Sequence, residues 1–217
     1  MKIVVLGAFT EYKKYFILSL ARLLSGLGPT RIHAPEPYTY EDSSDAYDLF
    51  GVFVQQYRDE VDLITALASD AYACEIIDMI TAMNIGTDLK VLTVCEPERE
   101  LFEKAARLTG TFTHLYPFTD IYLVLANLHE YGRISERFLI KLFERYIRGA
   151  VTIIKCFALY FEERNTAVFL ESMYEERFRF RRLSRPYKYQ LLQIAEALTG
   201  LTEKQIKPGL RKAERMK

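Results

Sequence analysis

Apolar runs of four to six residues alternate along the chain with longer stretches whose apolar positions recur at helical spacing. The first run, Ile3-Val4-Val5-Leu6, stops at Gly7, and a helical pattern begins near Lys13 with a broad apolar face from Tyr15 to Leu24. Gly26, Gly28 and Pro29 then supply stop signals. A short strand over 30–34 and a polar loop over 35–48 follow, then a buried strand over 49–54 and a helix over 61–68. Further strands are predicted at 74–78, 90–95, 121–126 and 150–154. Glu96-Pro97-Glu98 opens a helix that runs to about Leu108 and is stopped by Gly110, and Ser135 caps a helix through Tyr146. From Asn165 the chain reads as helical and charged, with helices near 165–183 and 187–199 separated by Pro186. Gly200 and Pro208-Gly209 then lead to a basic end over 210–217.

Short strands alternating with helices predict an α/β fold, a doubly wound, mostly parallel sheet flanked by helices with a helical C-terminal extension. The expected division is an α/β domain over 1–160 and an extension over 161–217, packed on the same domain and ending in a basic tail. Composition narrows the partners. Of 217 residues, 50% are hydrophobic and 27% charged with zero formal net charge, which excludes a disordered chain and argues against a strongly cationic nucleic-acid binder. Cys74, Cys95 and Cys156 lie in or beside apolar runs without metal-ligand spacing, as expected of packed thiols in a reducing compartment. The N-terminal apolar run is too short for a signal peptide, and no stretch approaches eighteen apolar residues, so the expectation is a cytoplasmic protein with no transmembrane segment.

The turn after the first strand is the candidate phosphate-binding loop, Gly7-Ala8-Phe9-Thr10-Glu11-Tyr12-Lys13-Lys14. Against G-x-x-x-x-G-K-[ST], Gly7 and Lys13 fit, while Tyr12 stands at the second glycine and Lys14 at the Mg²⁺-binding hydroxyl. A phosphate cradle needs backbone N–H groups converging without a Cβ in the way, and Tyr12 would put a phenol ring there. Lys13 or Lys14 at the helix N-terminus could still bind an anion.

The order of four features resembles the MinD/ParA branch of deviant P-loop ATPases, which includes the TadZ/CpaE-type pilus-assembly proteins. These are the first strand with its Gly7–Lys14 turn, the strand Glu75-Ile76-Ile77-Asp78, the strand and turn from Val91 to Glu98, and the strand Ile121 to Asn127. The resemblance spans roughly residues 1–155 and implies nucleotide-binding positions at Gly7, Lys13, Lys14, Asp78 (second switch) and Asn127 (adenine). Ala8 replaces the family's signature lysine, and the acidic residue at the end of its second strand, near Ile32-His33-Ala34, is missing. The loop is thus a degenerate Walker A motif in which hydrolysis is lost; no cofactor is expected, and ATP with Mg²⁺ belongs to the alternative reading.

No catalytic residue is identified. His33, His114 and His129 are dispersed, so no metal site is expected. Phe9 and Tyr12 are interface candidates, because aromatics are enriched in interface cores. Arg177, Arg179, Arg181 and Arg182 alternate with aromatics as in single-strand binders, although Glu171, Glu175 and Glu176 sit at helical spacing to pair with them. The leading expectation is a non-hydrolysing, homodimeric adaptor that docks a protein partner in a pilus, secretion or partition machine. An ATP-binding switch and a nucleic-acid-binding accessory protein are the alternatives.

Overall fold

The carboxyl end of a central strand is where this architecture gathers its loops. The computed structural model describes residues 1–38, 44–69, 71–116, 120–130, 134–147, 152–175 and 177–216, except the side chain of Met173. In chain order the elements are β1 (Lys2–Leu6), α1 (Glu11–Ser25), β2 (Thr30–Ala34), β3 (Ala46–Leu49), β4 (Val52–Gln56), α2 (Glu60–Leu67), β5 (Cys74–Met79) and β6 (Leu89–Cys95). There follow α3 (Arg99–Leu115), β7 (Asp120–Leu128), α4 (Glu136–Ile147), β8 (Thr152–Tyr160), α5 (Glu163–Glu175), a 3₁₀ turn (Phe180–Arg182), α6 (Arg185–Thr199) and α7 (Glu203–Arg215).

The strands form one sheet of order β3-β4-β2-β5-β1-β6-β7-β8, and only the β3–β4 pair is antiparallel. The chain leaves β1 past β5 to reach β2, then crosses back from β5 to β6. β1 is therefore the switch point, and the crevice opens where β1, β5 and β6 end. Alternation along β1 explains the two layers. Ile3 and Val5 join a core with residues of α1, α5, α6 and α7, while Val4 and Leu6 join one with Leu63 and Leu67 of α2 and Phe112 of α3. A third cluster sets α3 and α4 against β7 and β8.

Several element boundaries differ from expectation. The strand expected over 49–54 is a hairpin, and its β3 arm takes up the end of the loop expected over 35–48. Phe50 and Gly51 make its turn at φ +55° and +79°, a conformation that non-glycine residues such as Phe50 rarely adopt. α3 runs through Gly110 rather than stopping there. A Cβ at that position would meet the Tyr146 carbonyl of α4 at 3.3 Å, so this glycine serves close helix packing. α5 ends at Glu175, so Arg177–Arg185 is not a continuing helix; it holds the 3₁₀ turn and the start of α6. Pro208-Gly209 does not break the chain either: both lie inside α7. A Cβ on Gly26 would sit 2.5 Å from the Gly209 Cα, and this tight crossing of α1 and α7 holds the helix in spite of its proline. Residues 39–43 of the expected polar loop and the first two residues of the strand expected at 150–154 lie outside the described residues.

Candidate functional site

Gly7 ends β1 at φ +154°, where a Cβ would meet the Val94 carbonyl oxygen of β6 at 2.7 Å, so only glycine lets the chain turn here. Thr10 caps α1, its hydroxyl accepting from the Lys13 backbone N–H at 3.1 Å and donating to the Glu96 carboxylate beyond β6. The turn is thereby tied to two strands.

The Lys13 side chain folds back beneath this turn. Its ammonium donates to the carbonyls of Gly7 at 3.0 Å and Met79 at 3.3 Å, and it lies 2.6 Å from Asp78 Oδ1. Both side chains are essentially inaccessible, at 1% and 0% exposure. Two hydrogen bonds to carbonyls and one ion pair, all within the chain, thus surround the ammonium. Burial pushes the Lys13 amine below its ordinary pKa, while the charge and hydrogen bond of Asp78 act against that shift. Asp78 is held in turn by the Tyr38 hydroxyl, which donates to Oδ2 at 2.7 Å, and its carbonyl accepts from Tyr57 at 2.7 Å.

The remaining loop side chains fill the crevice from within. Tyr12 packs edge-on against Phe169 of α5, and its hydroxyl meets the Asn127 backbone, which carries φ +58° near the end of β7. Burial raises the Tyr12 phenol well above its usual pKa, so it stays neutral. Phe9 lies 6.2 Å from the Tyr38 ring and beneath the Lys14 ammonium, which pairs with Glu11. The rings of both interface candidates thus make their contacts inside this chain. Lys13, Lys14, Asp78 and Asn127 do converge with Gly7 on one crevice. As arranged, the Lys13 ammonium is buried and paired away from the solvent side of the crevice, and the position of the Mg²⁺-binding hydroxyl carries a buried, ion-paired lysine. These residues do not fit a Mg²⁺-nucleotide without rearrangement.

Two further buried polar groupings lie away from this crevice, and the sequence reading names neither. Glu75 of β5 accepts from Arg31 at 2.8 and 3.0 Å and from His33 at 2.8 Å, and Arg31 reaches on to Gln55 and to the Ala66 carbonyl. Arg31, His33 and Glu75 alternate on β2 and β5 with apolar residues, a pattern that marks one sheet face but not its polarity. Arg22, fully buried on α1, donates to the carbonyls of Phe50, Ala213 and Met216, and so holds the C-terminal end of α7. Its spacing along α1 reads only as an interruption of the apolar face.

The arginine-rich segment lies on the layer of α5, α6 and α7. Arg179 and Arg182 pair with Glu175 and Glu171, while Phe178 and Phe180 are buried in the core; Glu176 lies outside the described residues. No group of His, Cys, Asp and Glu among the described residues could hold a metal ion. No helix among them is long and apolar enough to cross a membrane. A cleft of about 570 Å³ between Asn84, Asp88, Lys90, Tyr116 and Asp120 opens at the other ends of the strands and gathers none of the predicted site residues.

No family model matches this chain, and no curated protein matches it by sequence. Among solved structures, the MinD cell division protein of Aquifex aeolicus superimposes with a TM-score of 0.62, covering 93% of this chain and 98% of that one at 12% identity. At that identity the likeness concerns the fold. The chain has a MinD-like α/β fold, an eight-stranded, mostly parallel sheet between helical layers.

Proposed function

We propose that this chain is a non-hydrolysing scaffold on a MinD-like fold, one that self-associates and docks a protein partner in a larger assembly of the pilus, secretion or partition kind. The observation that carries the reading is the closed Lys13–Asp78 pair. The lysine expected on phosphate is enclosed by Gly7, Met79 and Asp78, with Tyr12 filling the space toward Asn127. A nucleotide would have to separate a buried ion pair and expel an aromatic ring before making its first contact.

The convergence of Lys13 and Asp78 at the switch point favours one second reading, a nucleotide-operated switch in which the pair opens. Titration with a fluorescent ATP analogue and Mg²⁺ separates the two. The scaffold reading expects no saturable binding up to about millimolar nucleotide, an affinity of only about 4 kcal/mol. Saturable binding that disappears in Lys13→Ala, and also in the charge-neutral Lys13→Met, Asp78→Asn variant, would replace it with the switch.

A further inference from the structure

The zero net charge conceals a strong segregation. Residues 36–75, which supply β3, β4 and α2, hold ten acidic residues and one basic residue, a net of −9. Residues 177–217, which supply the 3₁₀ turn, α6 and α7, hold twelve basic and three acidic residues, a net of +9. Among the described residues no ion pair joins the two segments.

The basic segment presents its charge on one surface. Lys204, Lys207, Arg211 and Arg215 recur at intervals of three and four residues on α7, and all are exposed. Ile206, Gly209 and Ala213, on the other side of α7, are buried. The stripe is about 16 Å long. Only Lys207 has an acidic partner among the described residues, Glu203 at 2.9 Å. On the opposite face of the sheet, α2 buries Leu63 and Leu67 and exposes Val61 at 72% and Ile64 at 46%, beside Asp59 and Glu60. These acids are fixed in place: Asp59 accepts from the Asp62 N–H at 2.8 Å, and Glu60 from the Asn84 N–H at 3.0 Å.

We propose that the basic face of α7 docks on the acidic face of α2 and the β3–β4 hairpin in a second copy of this chain. Asp45, Asp48, Asp59 and Glu60 are exposed with only Arg58 among them, opposite in sign to the exposed Lys204, Lys207, Arg211 and Arg215, and the acidic surface adds exposed aliphatic side chains for the dry centre of a contact. α7 and α2 lie on opposite faces of one sheet, so a contact between the α7 stripe and α2 is heterologous and propagates head to tail instead of closing on itself as a two-fold pair. Two features disfavour other polyanions. The apolar side of α7 is buried against α1 and is not available to a bilayer, and Glu203 and Glu214 interrupt the stripe that a phosphate backbone would follow.

The inference rests on the self-association part of the function proposed above and is independent of its nucleotide part. Sedimentation velocity of the full chain at about 50 mM and about 500 mM salt tests it. The wild type should associate at low salt, with mass rising with concentration, and dissociate at high salt. Lys204→Glu with Arg211→Glu and Arg215→Glu reverses the sign of the α7 stripe, and Asp45→Lys with Glu60→Lys cuts the charge of residues 36–75 from −9 to −5. Each variant should associate at least about tenfold more weakly than wild type, and their equimolar mixture should associate again. The mixture also shows that both variants fold, and the single changes Arg211→Glu and Glu60→Lys replace any that do not. A wild type that stays monomeric at low salt, variants that associate normally, or a mixture that stays monomeric would overturn the proposal. So would a basic face needed for binding duplex DNA or anionic vesicles while self-association is unchanged. A chain that binds no nucleotide and self-associates without using these faces keeps the scaffold reading and loses this interface, whereas a wild type monomeric at low salt loses both.

Discussion

Two residues decide what the crevice can do. Lys13 and Asp78 are both out of water, and each has the other as its only ion-pair partner among the described residues. Removing one partner of such a pair leaves an uncompensated buried charge, which costs about 3–5 kcal/mol, whereas neutralising both costs far less. Lys13→Met alone should therefore lower the free energy of unfolding in urea by about 3 kcal/mol, and Lys13→Met with Asp78→Asn should recover most of that loss. Additive losses would mean that the two residues are not coupled. His33 sets a second condition at this scale. It is wholly buried, Nε2 meets Glu75, and Nδ1 has no partner among the described residues. Burial lowers its pKa, against the opposing pull of Glu75. The unfolded chain takes up this proton near pH 6.5, the folded chain only at lower pH. Between those values the unfolded state binds more protons, so stability is full above about 6.5 and is lost as pH falls. Burial would raise the Glu75 pKa, but the bonds from His33 and Arg31 outweigh it and hold the carboxyl below its usual value, so its contribution is lost at still lower pH. The urea midpoint should fall between about pH 7 and pH 5, and His33→Gln should flatten that slope.

At the scale of elements, what the sequence made legible was burial. β1, β5, β6 and β7 each hold a short, mostly apolar run, as central parallel strands do, and their order placed Gly7, Lys13, Asp78 and Asn127 at one end of the sheet. The missed elements are those in which a packing contact overrides a local signal. Gly110 looks like a helix stop and is a place where α3 approaches α4; Pro208-Gly209 looks like a break and is where α7 crosses α1. Which way the loop side chains turn was equally hidden. Tyr12 and Phe9 have the composition of an interface, and composition does not show that they also pack, half-buried, against Phe169 and Tyr38. The α1–α7 crossing is testable at this scale. A methyl group on Gly26 would meet Gly209 backbone atoms at 2.5 to 2.8 Å, and backbone cannot yield as a side chain can. Gly26→Ala should destabilise by about 1–3 kcal/mol and raise amide exchange along α7. Unchanged exchange there would show that the helices are not in such close register.

Over the whole molecule, the two layers carry different burdens. The layer of α2, α3 and α4 covers the sheet with separate clusters, whereas α1, α5, α6 and α7 share one continuous core that reaches from the hairpin to Phe157 and Leu159 of β8. α1 runs through that shared core. Its N-terminal turn contains the Lys13–Asp78 pair, and its last turn carries Arg22 and Gly26, which grip α7. The helix is about 22 Å long, and its middle residues are buried throughout. It is in effect a lever with one end in the crevice and the other under the C-terminal helix. Any event that opened the crevice and tilted α1 would be delivered to α7 as a displacement, so the two ends of this molecule are mechanically one part.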